Sequence, residues 1–197
     1  MNGIKSVIVL VFALFVSMAL PAQESDFQRT VARFKTCKQA AANVIKRQHL
    51  ASTGRDIVTT GGAFLLRPDM VSISTNEGMD KLVMQGTKFS VTVDGREHII
   101  DSRKNAQFTT LQRVVSSVIN GGDTDITKLP GVTVKKTGTS ISITILPPTI
   151  KNKRKKDVKY SSFVLVFDMK TSVQTLLRMV ESDGSFTDYE FSKFVFE

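Results

Sequence analysis

From residue 57 onward the chain is written as runs of strand length, cut apart by turns too short for any neighbouring strand to run parallel. Residues 57–60, 62–67, 70–75, 81–85, 88–93 and 97–101 are separated by Gly61-Gly62, Pro68-Asp69, Asn76-Glu77-Gly78, Gln85-Gly86 and Asp94-Gly95. These residue types supply left-handed backbone or a fixed φ at tight turns. A parallel crossover needs a dozen or more residues, so such connections predict antiparallel neighbours. Phe89, Val91 and Val93 alternate with Ser90, Thr92 and Asp94, the pattern of a sheet with one apolar face.

Two segments carry a helical period instead. Ser25 with Gln28 three residues later reads as a capping box. Phe27, Val31, Phe34, Cys37, Ala41, Val44 and Ile45 then fall on one side of a 3.6-residue period, which predicts a helix running to the stretch 50–54. A second helix is expected over 106–120, with Phe108, Leu111, Val114, Val115, Val118 and Ile119 as its apolar face and Asn120-Gly121-Gly122 as its stop. Strands resume at 132–137, 140–146, 162–168, 173–181 and 186–196. The expected fold is mainly β, of the α+β class: about ten antiparallel strands, too many to stay flat, curl into an incomplete, strongly curved barrel. Two or more helices cover its apolar concave face. Whether that face encloses a packed core or a cavity stays open, because both are built from the same residues.

The N-terminus reads as a leader. Lys5, the apolar run 7–20 and Pro21-Ala22 have the order of a cleavable secretory signal peptide, residues 1–22. The run is shorter than a membrane-spanning helix requires. Cleavage would leave 23–197 as a single domain outside the cytosol. The only cysteine, Cys37, lies away from the cleavage site, which argues against N-terminal lipid attachment and rules out an internal disulfide; it reads as a small buried apolar residue. The chain carries 27 Lys and Arg against 18 Asp and Glu, net +9, or +8 once Lys5 leaves with the leader. For a secreted basic chain, anionic lipid or an acidic protein surface is a better partner than nucleic acid. The run Lys151, Lys153, Arg154, Lys155, Lys156 after Pro147-Pro148 is the candidate docking segment. His49 and His98 have no carboxylate or second histidine at metal-ligand spacing, and no serine is framed as a nucleophile, so neither an enzyme nor a metal or cofactor is expected.

Three segments in order resemble the periplasmic outer-membrane lipoprotein carrier family, the LolA-like proteins. Gly62-Ala63-Phe64-Leu65-Leu66-Arg67-Pro68-Asp69 is similar to that family's glycine-x-aromatic strand ending in basic-Pro. Leu82-Val83-Met84-Gln85-Gly86-Thr87-Lys88 resembles the hairpin that follows it, and residues 181–196 resemble the last hairpin in their threonine, aromatic and phenylalanine spacing. Leu111-Gln112-Arg113-Val114-Val115 and Gly121-Gly122-Asp123 also fit. The resemblance implies a half-closed barrel with a helical lid, acting as a monomeric periplasmic carrier of acylated lipoprotein between an inner-membrane donor and an outer-membrane acceptor. Relatives in the same superfamily carry other lipids or sense envelope stress, so a lipid-sensing or protein-interaction module is the alternative, and a packed adaptor without a cavity is a third reading.

On the resemblance, Arg67 would latch the lid by hydrogen-bonding helix carbonyls. Candidate cavity residues are Phe64, Leu66, Phe89, Val91, Ile143, Phe163, Leu165, Phe167, Tyr189 and Phe191. The interval from Gly62 to Arg67 is one residue shorter than the family's, and the tryptophans and tyrosines common on its next strands are missing, since Trp is 0 and Tyr 2. Both departures bear on the cargo.

Overall fold

The computed structural model describes residues 25–148 and 159–197. The expected leader, residues 1–22, and the basic run at Lys151, Lys153, Arg154, Lys155 and Lys156 lie outside the described residues. Helix α1 (Asp26–Thr36) opens with the expected capping box, the Ser25 hydroxyl accepting from the Gln28 amide while the Gln28 side chain accepts from the Ser25 amide. Strands β1 (Ala40–Leu50), β2 (Arg55–Arg67), β3 (Met70–Thr75), β4 (Asp80–Gln85), β5 (Lys88–Val93) and β6 (Arg96–Asp101) follow as consecutive hairpins. Helix α2 (Ala106–Ile119) leads to a second meander of β7 (Val132–Thr137), β8 (Ser140–Ile145), β9 (Tyr160–Asp168), β10 (Val173–Glu181) and β11 (Phe186–Phe196).

The eleven strands form one antiparallel sheet in the order β6-β5-β4-β3-β2-β1-β11-β10-β9-β8-β7. The first and last strands, β1 and β11, pair at its centre. Among the described residues the edges of the sheet are therefore β6 and β7, the two strands that α2 joins. Phe108 of α2 shows how far the sheet curls. Its ring lies 4.9 Å from Phe89 on β5 and 5.8 Å from Phe163 on β9, strands seven places apart in the order. At ~4.8 Å per strand a flat sheet would hold them ~34 Å apart. The expected incomplete barrel with helices over its concave face is what the chain forms.

Two expectations are corrected. The first helix ends at Thr36, and residues 40–50 form β1, so Ala41, Val44 and Ile45 belong to a strand. A helix here would leave β2 and β11 without the strand that both pair with; tertiary pairing overrides the helical propensity of Ala-Ala-Ala. The Lys38 amide already donates to the Glu197 carbonyl at 2.7 Å, fixing the entry into the sheet. Cys37, at the end of α1, is half-buried, and its thiol donates to the Phe34 carbonyl. Gly61-Gly62 also differs from expectation. Rather than a turn, it lies within β2, where Gly61 at φ +74 accompanies a slip of register against β1 between Val44 and Lys46. A Cβ on Gly62 would sit 2.7 Å from the Ser74 carbonyl oxygen.

The core follows from this geometry. Phe27, Val31 and Phe34 of α1 are buried, with Phe27 and Phe34 edge-on to Phe167 of β9. Phe108, Leu111, Val114 and Val118 of α2 are buried, each contributing about 1.5–3 kcal/mol by burial. The exit of α2 docks on α1, where Gln28 Nε2 donates to the Gly122 carbonyl at 3.2 Å.

Candidate functional site

Beneath α2 the concave face encloses an apolar cavity of about 40 Å3. Phe64 and Leu66 of β2, Val71 and Ile73 of β3, and Leu165 of β9 with Leu177 and Phe191 form its floor and sides, and Val115 and Val118, three residues apart on one helix face, form its roof. Among the described residues that line it, Gln174 of β10 alone is polar; it donates from Nε2 to the Leu176 carbonyl at 3.2 Å. A space of this size holds little more than a water, whereas ligand pockets begin at about 300 Å3. The helix lies closed on the sheet.

Four of the ten candidate residues, Phe64, Leu66, Leu165 and Phe191, line this cavity. Phe89 and Phe163 lie on either side of the Phe108 ring at the seam of the barrel. Ile143 is buried on β8 in register with Leu165, and Phe167 packs under α1. Val91 and Tyr189 are half-buried and line a second cavity of about 40 Å3 together with Lys46, Thr75, Asp80 and Thr92. Sequence reasoning missed Val71 and Ile73, although they alternate with Ser72 and Ser74 as clearly as Phe89 and Val91 alternate with their neighbours. Leu177 and Gln174 carried no such signal.

Lys46 and Asp80 were also missed, because a helical reading of 40–50 sends Lys46 to the outside. In β1 it faces inward. Its ammonium meets the Asp80 carboxylate at 2.9 Å, with the two side chains 17% and 16% exposed. Strands β1 and β4 are three places apart, ~14 Å in a flat sheet, so the pair spans the concavity. The Lys46 hydrogen bond, assisted by the Asp94 amide at 3.0 Å, holds the Asp80 carboxyl below its ordinary range. Burial pushes the Tyr189 phenol well above its own, so that it stays neutral.

Arg67 is exposed, and its Nε donates to Gln39 Oε1 at 3.1 Å. Gln39 lies between α1 and β1, so this bond reaches the connection into the sheet and not a helix carbonyl, as the latch reading expects. His49 Nδ1 lies 2.7 Å from Asp56 Oδ1 on neighbouring strands, and His98 is exposed on β6. Among the described residues no group of three His, Cys, Asp or Glu could hold a metal ion, and no helix is long and apolar enough to cross a membrane.

No protein-family model matches the chain, and no curated protein matches it. Among solved structures it is similar to a DUF1329 family protein from Desulfovibrio piger, at 10% identity over 87% of this chain and 92% of that one, with a TM-score of 0.40. A LolA superfamily protein from Nitrosomonas europaea is similar at 10% identity over 87% and 92%, TM-score 0.38. The lipoprotein LppX of Mycobacterium tuberculosis is similar at 13% identity over 86% and 92%, TM-score 0.37.

Proposed function

We propose that the chain is a non-catalytic periplasmic carrier that holds the acyl chains of a lipoprotein, or of a related lipid, between the sheet and α2, and moves them from the inner to the outer membrane. The observation that carries this reading is the apolar cavity roofed by Val115 and Val118, whose one polar lining residue is already bonded to its own strand. Such a wall binds by shielding: each methylene taken from water contributes about 0.8 kcal/mol and no polar match is needed. At about 40 Å3 the cavity has no room for an acyl chain, so loading requires α2 to lift from the sheet. On this reading the basic run at 151–156 docks the carrier on anionic lipid or on an acidic donor or acceptor, and Arg67 with Gln39 steadies the joint between α1 and the sheet.

Native mass spectrometry of the chain purified from the periplasm, followed by denaturing extraction, tests the proposal. An acylated molecule at near-stoichiometric occupancy is expected. Empty protein that also refuses added acylated lipopeptide would refute it.

A further inference from the structure

The concave face continues beyond the roof of α2, and there it turns polar. Ile73 borders both the acyl cavity and the second cavity beside Lys46 and Asp80. Two residues further along each inward-facing row, ~7 Å, Thr75 succeeds Ile73, Tyr189 succeeds Phe191, and Lys46 succeeds Val44. An apolar slot that ends in hydroxyls, a neutral phenol and a largely buried ion pair has the polarity profile of a lipid.

The ion pair is an expensive way to build that end. Two charges taken this far from water lose hydration that their mutual attraction roughly offsets, and apolar residues of similar volume would brace β1 against β4 at least as well. The pair has no net charge. A purely anionic headgroup bound to Lys46 would leave Asp80 unpaired, and a purely cationic one bound to Asp80 would leave Lys46 unpaired. A headgroup carrying both a phosphate and a primary ammonium can replace each partner at once.

We propose that Lys46 and Asp80, with Tyr189 beside them, form the seat of a zwitterionic lipid headgroup of the phosphoethanolamine type, its phosphate on the Lys46 ammonium and its ammonium on the Asp80 carboxylate, with the acyl chain running under α2. This rests on the carrier reading, and it names the class of lipid.

The test compares three palmitoyl amphiphiles that differ only in the headgroup, lysophosphatidylethanolamine, lysophosphatidic acid and monopalmitoylglycerol, competing for an apolar fluorescent probe on the secreted chain. Charge-assisted hydrogen bonds at the seat should favour lysophosphatidylethanolamine over monopalmitoylglycerol by about tenfold or more. Lys46→Met should abolish that preference. Asp80→Asn, which keeps its size and an oxygen for the Asp94 amide, should turn the preference toward lysophosphatidic acid. Equal binding of all three by the unaltered chain, or a preference untouched by both substitutions, overturns the headgroup seat while leaving the carrier intact. Failure of all three to displace the probe overturns both.

Discussion

The joint between α1 and the exit of α2 makes a sharp quantitative test, because a second glycine elsewhere provides its control. Gly122 has φ +79, and a Cβ there would lie 2.9 Å from Gln28 Cγ, 3.0 Å from Gln28 Cα and 3.2 Å from Val31 Cγ2. Gly138, in the turn between β7 and β8, has φ +58 with nothing within 4 Å of its Cβ position. Alanine at either site bears the left-handed backbone penalty, about 1 kcal/mol. Only at Gly122 does it also overpack, for about a further 1–3 kcal/mol, since the Gln28 Cα cannot swing aside without moving α1. Gly122→Ala should therefore destabilise by about 2–4 kcal/mol and Gly138→Ala by about 1 kcal/mol. With a urea slope of about 2 kcal/mol/M, their unfolding midpoints should differ by about 0.5–1.5 M. The chain has no tryptophan, so far-ultraviolet circular dichroism is the readout. Midpoints shifted equally by the two substitutions would refute the packing of α2 on α1 described here.

Phe108→Ala removes the ring that joins β5 to β9 and should cost about 3–5 kcal/mol, measured by the same urea titration. Burial pushes the Cys37 thiol above its ordinary range, so its alkylation at neutral pH should be slower than that of a free cysteine peptide and should approach the peptide's rate in denaturant. Hydrogen bonds hold the carboxyls of Asp26, Asp80, Asp101, Asp125 and Asp168 below the reference 3.8, Asp101 at about 2 through Arg103. Depressed carboxyls stabilise the fold above their unfolded value and lose that contribution as they protonate. Stability should therefore decline as pH falls through 3.8 toward about 2, and a urea midpoint that holds steady across that window would contradict the assignment.

The strands were legible because their turn chemistry and alternation agree. Residues 70–75, 88–93, 132–137, 173–181 and 186–196 are strands with the bounds the pattern suggests. The failure at 40–50 has a physical cause: Ala40, Ala42 and Val44 are spaced for a buried strand, while Ala41, Val44 and Ile45 are equally spaced for a helix. The choice falls to pairing with β2 on one side and, on the other, with β11 at the far end of the chain. That one misreading hid Lys46, and with it the polar end of the concave face. Asp80 was hidden differently: it begins β4 beside a turn, where an aspartate is commonplace. Half of the apolar wall was visible as alternation, but the roof residues Val115 and Val118 could be placed over Leu66 and Leu165 only once the curl of the sheet was known.

The topology bears on how a carrier could open. Because β1 and β11 pair at the centre, the free edges β6 and β7 do not pair with each other, and α2 crosses between them with its apolar side chains. Lifting α2 breaks no ladder of backbone hydrogen bonds; what it loses is the Gln28–Gly122 hydrogen bond at its exit and the burial of Phe108, Leu111, Val114 and Val118, the burial being roughly 6–12 kcal/mol in all. A sixteen-carbon chain that enters returns about 0.8 kcal/mol for each methylene shielded, on the order of 11 kcal/mol. The two quantities are similar, so loading and release can both proceed near equilibrium, as a carrier without its own energy source requires. Affinity should then follow chain length, rising about fourfold per methylene from ten to sixteen carbons, as read by probe displacement with a fixed headgroup. Affinity independent of length over that range would mean that the chain does not enter beneath α2, and the carrier mechanism would fail with it.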